Sequence, residues 1–130
     1  MSVEPAAPGP PRVLICEDAP GYQLLLEITL ADAGLHVAAT AASWEEATAA
    51  AREHRPDLVL VDLWLPYRDD AALIALREAA GDALLVAISG LSHEEARAEI
   101  GELGAVDLIL SKRQSMDVLV SSLQDLLARR

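Results

Sequence analysis

One short run of branched apolar residues, ending in an acid, constrains the fold of this chain more than any other feature. The segment from Pro56 to Pro66 has the sequence PDLVLVDLWLP. An apolar run of this length, bounded by proline on both sides, is typical of a parallel strand covered on both faces. Ligands bind at the carboxyl edge of such sheets. Asp62, at the end of the run, is therefore a candidate for chemistry, and the alternative is that it only begins a turn.

Strand and helix patterns alternate five times along the chain. The predicted strands cover residues 12–16, 35–39, a third run ending at 62, 83–88 and 105–110. The predicted helices cover residues 22–33, 44–55, 70–80, a segment opened by Ser92 and ended by Gly104, and a last segment from Ser115 onward. Short connections between alternating strands and helices predict an α/β fold, a five-stranded parallel sheet with helices on both faces.

Composition excludes several classes of function. We predict a flexible proline-rich tail at residues 1–11 and one domain at residues 12–130. The formal net charge of −11 opposes direct binding to nucleic-acid phosphates. Apolar runs fall short of the roughly 20 residues that a membrane span requires, and no export signal is predicted. With Cys16 as its one cysteine, inside a strand pattern, the chain is expected to be cytoplasmic.

Polar residues follow four of the predicted strands, at the point where each strand ends. They are Glu17 and Asp18 after the first strand, Asp62 after the third, Ser89 after the fourth and Lys112 after the fifth. In a parallel sheet these positions share one edge. Acids at close range raise one another's pKa unless a cation intervenes, and an all-oxygen site suits Mg²⁺. A carboxylate can accept a phosphoryl group covalently, so this cluster favours phosphoryl transfer.

With this ordered set of residues, the chain resembles the receiver domains of bacterial two-component response regulators, which share the chemotaxis-regulator fold. The resemblance covers Arg12 to about Ala128. It implies a flavodoxin-like (βα)5 fold with strand order 2-1-3-4-5, a Mg²⁺ cofactor and a signalling role in a phosphorelay rather than an enzyme's role. It also implies a sensor histidine kinase or phosphotransfer protein as partner, with a homodimer or an effector protein as further possible partners.

The same resemblance implies a role for each residue of the cluster. Asp62 would accept the phosphoryl group, and Lys112 and the Ser89 hydroxyl would face it. Glu17, Asp18, Asp62 and the backbone carbonyl of Trp64 would hold Mg²⁺, with Glu17 acting through water. Gly90 would leave room for the phosphoryl group.

Several positions depart from the family pattern. Ile109 replaces an aromatic residue that usually rotates on activation, and Arg113 replaces a proline. Asp70 replaces a glycine, and Gly104 lies one residue further from Lys112 than the pattern expects. Asp70 and Gly104 do not affect the chemistry, whereas Ile109 and Arg113 keep open a degenerate receiver that binds partners without being phosphorylated. A nucleotide or flavin binder is disfavoured by the acids after the first strand, and an aspartyl-phosphate hydrolase is disfavoured by Trp64.

The first predicted helix is apolar on two sides. Tyr22, Leu25 and Leu26 are expected in the core, whereas Leu24 and Ile28 form a second stripe, either a partner-facing patch or a half-buried flank. In the other helices the expected inward positions are Leu73, Ile74, Leu76, Ala96, Ile100, Leu103, Leu119, Leu123 and Leu126. Three histidines, at positions 36, 54 and 93, lack ligand spacing and are interpreted as surface or helix-start residues.

Overall fold

A computed structural model of the chain describes residues 9–66, 69–100 and 105–130. Most of the predicted tail, Leu103 and Gly104 lie outside these residues, and the side chains of His93 and Ile100 lie outside them as well. The predictions that concern these positions therefore stay predictions.

Five parallel strands form one sheet in the order β2-β1-β3-β4-β5, which confirms the predicted fold. The first and third strands pair directly, with Cys16 beside Val61. The three inner strands are almost fully buried, as their continuous apolar runs predict. The strands are β1 Arg12–Cys16, β2 His36–Ala41, β3 Leu58–Asp62, β4 Leu84–Ser89 and β5 Leu108–Ser111.

Helices follow the strands, and polar side chains begin four of them. The side chains of Ser43, Asp69, Ser92 and Ser115 each accept a hydrogen bond from a backbone N–H of the first turn. In the described part of the chain, every helix is too short or too polar to cross a membrane. The helices are α1 Pro20–Asp32, α2 Trp44–His54, α3 Asp70–Ala80, α4 His93–Ile100 and α5 Met116–Ala128.

Two hydrophobic cores lie on opposite faces of the sheet, because successive side chains of a strand point to opposite sides. Leu14 and Cys16 of β1 pack in the core with α2 and α3. Val13 and Ile15 pack in the other core with α1 and α5. Helices therefore cover both faces of the sheet.

The structure corrects several sequence expectations. Helix α1 begins at Pro20 rather than Tyr22, because proline fits the first turn of a helix, where its missing N–H costs nothing. Leu25 and Ile74, expected in the core, are 44% and 42% exposed, and Leu30 is buried instead. In helices that are apolar on several sides, the pattern does not specify which side meets the sheet.

Strand boundaries also shift at the two edge strands. Strand β2 runs on to Ala41, and β5 begins at Leu108 rather than Ala105, where its pairing with Val86 starts. His36 is exposed within β2, and His54 is the last residue of α2.

Candidate functional site

The polar residues lie side by side at the carboxyl edge of the sheet. Backbone hydrogen bonds between neighbouring strands continue to the residues that directly follow β1 and β5. The backbone N–H of Glu17 donates to the carbonyl of Ala41 at 2.9 Å, and that of Lys112 donates to the carbonyl of Ser89 at 2.7 Å. Asp62 is the last residue of β3. The predicted convergence of side chains at this edge is therefore present for Glu17, Asp62 and Lys112.

Lys112 joins the strands through its amino group. Its Nζ lies 2.9 Å from Oδ2 of Asp62 and 3.0 Å from Oε2 of Glu17. The same Nζ lies 4.4 Å from the ring centroid of Tyr22, which is a cation–π distance. The lysine is thus held between two carboxylates and an aromatic face.

Three acids form the cluster beside Lys112. One carboxylate oxygen from each of Glu17, Asp18 and Asp62 lies within 4.8 Å of the others. Glu17 and Asp62 are buried, and Asp18 is exposed. Oε2 of Glu17 is buried, accepts no hydrogen bond in the described structure and lies in an ion pair with Nζ of Lys112.

These surroundings shift the protonation of the cluster. Burial, followed by a hydrogen bond with Asp62, raises the pKa of Glu17 to about 7, although Lys112 acts in the opposite direction. Burial acts to lower the pKa of Lys112, but the close contacts with Asp62 and Glu17 and the charges of both acids outweigh it and raise that pKa. Lys112 is therefore a fixed positive charge at neutral pH, whereas Glu17 lies near its titration point.

Both oxygens of Asp62 have donors that hold the carboxylate in one orientation. Oδ2 accepts from Lys112, and Oδ1 accepts from the backbone N–H of Trp64 at 2.9 Å. The indole of Trp64 is 62% exposed. Asp62 opens into a cavity of about 400 Å³ lined by Asp62, Trp64, Gly90, Leu91, Lys112 and Arg113.

Ser89 is buried at the end of β4 and does not line this cavity. Its Oγ accepts a hydrogen bond from the backbone N–H of Leu91 at 3.1 Å. This bond uses an acceptor lone pair of the hydroxyl and leaves its O–H as a donor. Gly90 has open space where a Cβ would stand, consistent with room beside the cavity.

Tyr22 was missed as a site residue by sequence reasoning. The sequence predicts Tyr22 in the core, and it does pack there, but its ring also faces Lys112. The available signal was its position four residues after Asp18, in the first turns of a helix that leaves the same edge.

Comparisons with known proteins agree with this geometry. A sequence model of the response regulator receiver domain matches residues 13–124. The chain belongs to this family. It is a receiver domain of two-component signalling, and the resemblance inferred from the sequence is confirmed.

Curated relatives place this receiver domain in different contexts. The chemotaxis protein CheY of Bacillus subtilis is 28% identical over 109 residues, which are 83% of this chain and 91% of CheY. The transcriptional regulatory protein PrrA of Mycobacterium tuberculosis is 34% identical over 121 residues, 92% of this chain and 51% of PrrA. A protein-glutamate methylesterase/protein-glutamine glutaminase of Anaeromyxobacter dehalogenans is 33% identical over 110 residues, 84% of this chain.

The chain spans only 32% of that methylesterase and about half of PrrA. Because one group of relatives is named for an enzymatic activity, the expectation that this protein is not an enzyme stays a prediction.

Solved structures confirm the fold. The signal receiver domain of the response regulator NarL from Mycobacterium tuberculosis superposes with a TM-score of 0.81 at 22% identity, over 95% of this chain and 100% of that chain. The receiver domain of sensor histidine kinase PA1611 from Pseudomonas aeruginosa has a TM-score of 0.72 at 24% identity, over 90% of this chain and 97% of that chain. In that structure a magnesium ion is coordinated in the active site cleft.

Proposed function

We propose that this receiver domain accepts a phosphoryl group on Asp62 from a histidine kinase or a phosphotransfer protein, and that phosphorylation changes its binding to partners. The observation that carries the proposal is the position of Asp62. Its carboxylate is oriented by two donors, opens into a cavity, and lies 2.9 Å from a lysine that the cluster keeps charged.

In the proposed transfer, a carboxylate oxygen of Asp62 forms a bond to the phosphorus of a phosphohistidine. The bond from phosphorus to the imidazole nitrogen breaks, and that nitrogen keeps the electron pair and takes up a proton from water. Positioning and charge neutralisation account for most catalysis of phosphoryl transfer. Lys112 supplies a positive charge beside Asp62, and the Ser89 hydroxyl, which accepts from Leu91, keeps its O–H as a donor for the phosphoryl oxygens.

The acid cluster fits Mg²⁺. A buried oxygen of Glu17 lacks a hydrogen bond, three carboxylate oxygens lie within 4.8 Å, and Asp18 is open to solvent. Oxygen ligands combined with room for water are what Mg²⁺ prefers. We assign the ion to Glu17, Asp18, Asp62 and the backbone carbonyl of Trp64, with Glu17 acting through water. When bound, Mg²⁺ offsets negative charge on the acids and on the phosphoryl group.

Intact mass after incubation with acetyl phosphate and Mg²⁺ tests the phosphoacceptor. We expect one added phosphoryl group on the natural chain and none on Asp62→Asn. Asp82→Asn is the matched control, because Asp82 is an exposed acid at the opposite edge of the sheet and should leave labelling unchanged. Labelling of Asp62→Asn would refute the assignment.

The same experiment separates this function from that of a degenerate receiver. That alternative is favoured by Ile109, which is buried where the family has an aromatic residue. A natural chain that stays unlabelled, although it is folded and binds Mg²⁺, would support the alternative.

We further propose that the phosphoryl donor docks on α1 beside the site. Leu24 and Ile28 are 55% and 53% exposed, and contacts between helices are centred on such apolar residues. We expect Leu24→Glu with Ile28→Glu to slow phosphotransfer from a cognate donor at least about tenfold, since buried apolar anchors carry much of an interface's binding energy. Time courses of phosphotransfer from the donor measure the rate, with acetyl-phosphate labelling in parallel.

Ile74→Glu on α3 is the control for docking, because Ile74 is similarly exposed on a different helix. It should leave transfer unchanged. Equal loss of transfer and of acetyl-phosphate labelling in the double variant would show that Leu24 and Ile28 support the fold instead.

A further inference from the structure

Arg113 follows Lys112 directly and lines the same cavity as Asp62. Its side chain crosses from the loop after β5 to the loop after β4, where Nε donates to the carbonyl of Gly90 at 3.0 Å. Its backbone N–H donates to Oγ of Ser111, and that hydroxyl donates to the carbonyl of Leu91. The two loops that border the cavity are therefore tied together at Arg113.

The bond to Gly90 orients the guanidinium without using all its donors. Arginine has five N–H donors in a rigid plane, so anchoring Nε fixes the direction of the whole group. The four N–H groups on Nη1 and Nη2 have no hydrogen-bond partner among the described residues. A planar group with these donors matches the geometry of phosphate oxygens.

Charge at the phosphorylated site favours a second cationic side chain. The negative charge of the three acids is balanced by Lys112 together with the Mg²⁺ assigned to them, which leaves the charge of the phosphoryl group to be offset. An aspartyl phosphate carries about one more negative charge than the carboxylate from which it forms. The phosphoryl group on Asp62 would enter the cavity that Arg113 lines, so the arginine is positioned to offset this added charge.

One acid competes for Arg113. Glu95 at the start of α4 has its pKa lowered, first by hydrogen bonds from Ser92 and to a lesser extent by the charge of Arg113. Glu95 is exposed, and no ion pair within 4.0 Å joins it to Arg113 in the described structure. Screening by water weakens such an exposed attraction, so it does not hold the arginine away from the cavity.

We propose that Arg113 contacts the phosphoryl group on Asp62 as a second cation beside Lys112, with Nε kept on the carbonyl of Gly90. The proposal rests on the proposed phosphorylation of Asp62 and adds a residue to that site. The resemblance to the family does not supply it, because the family usually has proline at this position.

The test is the binding of beryllium trifluoride, a phosphoryl mimic for carboxylates, in the presence of Mg²⁺. Its apparent dissociation constant is measured by tryptophan fluorescence, and the melting temperature is recorded with and without it. We expect Arg113→Ala to weaken binding about tenfold, the loss of one charge-assisted hydrogen bond. Arg113→Lys keeps the positive charge but lacks the planar guanidinium anchored on Gly90. Its affinity for the mimic should lie between that of the natural chain and that of Arg113→Ala.

Arg97→Ala is the matched control, because Arg97 is an exposed arginine on α4 outside the cavity. It removes the same charge and should bind the mimic as the natural chain does. Weakening by Arg97→Ala equal to that by Arg113→Ala would attribute the effect to net charge and overturn the proposal.

Two further results would overturn the proposal. The first is equal affinity of the natural chain and Arg113→Ala for the mimic. The second is a melting temperature that Arg113→Ala lowers equally with and without the mimic, because an arginine that only ties the two loops together gives that result. If the natural chain itself binds no mimic, the phosphorylation of Asp62 fails, and this inference fails with it.

Discussion

The two edges of the sheet use the same kinds of charged residues in opposite ways. At the amino edge, Oδ2 of Asp57 accepts the backbone N–H of Arg12 at 2.8 Å, and Oδ2 of Asp107 accepts that of Leu85 at 2.8 Å. Arg77 donates to Asp107 at 3.1 Å and to the carbonyls of Gly81 and Ala83. Each of these aspartates therefore completes the hydrogen bonding of a neighbouring strand.

At the carboxyl edge, the acids lie close to one another instead. One lysine serves both Glu17 and Asp62, and an oxygen of Glu17 is buried without a hydrogen bond. Buried groups that are incompletely satisfied cost stability, and such sites commonly await a ligand. The comparison separates acids that stabilise the fold from acids whose arrangement favours a cation and a phosphoryl group.

The largest expected effect concerns Mg²⁺ at the carboxyl edge. A ligand that binds the folded state at one hundred times its dissociation constant adds about 2.7 kcal/mol. We therefore expect millimolar Mg²⁺ to raise the melting temperature of the natural chain by several degrees, and Asp18→Asn to lose most of this increase. Calorimetry with a Mg²⁺ series measures it, with Asp82→Asn as a control at the amino edge. Equal responses of Asp18→Asn and the natural chain would show that the acids do not form one site.

A second prediction concerns the amino edge. Asp107→Ala leaves the N–H of buried Leu85 without its acceptor and removes the partner of Arg77. The loss of a buried acceptor costs about 1–3 kcal/mol of unfolding free energy, and the half-exposed ion pair adds little. Urea denaturation measures this loss, and acetyl-phosphate labelling should be unchanged. A variant that loses labelling while it remains folded would contradict the separation of the two edges.

A third prediction concerns the pH dependence of stability without Mg²⁺. The pKa of Glu17 is about 7 in the folded protein, against 4.5 as its ordinary value. Between these values the folded state holds a proton that the unfolded state has lost, so the free energy of unfolding falls as pH rises from about 4.5 to 7. Lys112, with a raised pKa above this range, adds no slope there.

The slope contributed by Glu17 cannot exceed that of one proton, about 1.4 kcal/mol per pH unit. Urea denaturation in EDTA at several pH values compares the natural chain with Glu17→Gln, which should lose this contribution. Glu78→Gln, an exposed acid of α3, is the control. A slope that is the same in Glu17→Gln would place the proton on another group.

Much of the fold follows from local patterns. The continuous apolar runs of β1, β3 and β4 are predictable because strands buried on both faces have no alternating polar positions. The start of α2 is predictable because Ser43 and Glu46 are the residues of a capping box. Ser43 makes the expected hydrogen bond to the backbone N–H of Glu46, whereas the Glu46 side chain accepts from the N–H of Ala42, one residue before the cap. The convergence of Glu17, Asp62 and Lys112 follows from the shared direction of parallel strands.

Other features depend on contacts between distant segments. Leu25 and Leu30 of α1 are equally apolar, and only the packing of the helix against β1 and α5 decides that Leu30 is buried. The ring of Tyr22 contacts Lys112, which lies 90 residues later in the chain. Arg113, in the loop after β5, donates to the carbonyl of Gly90, in the loop after β4. No periodicity in the sequence encodes such pairs.

By itself, the sequence determined the alternation of strands and helices, the family and the edge at which the acids lie, because these depend on residue type and spacing along one element. Tertiary structure alone decided which buried carboxylate oxygen accepts no hydrogen bond and which cations face the cavity. The burial of Glu17 and the shared contact of Lys112 arise only when β1, β3 and β5 are brought into one sheet, where the distance between charges and their removal from water set their energies.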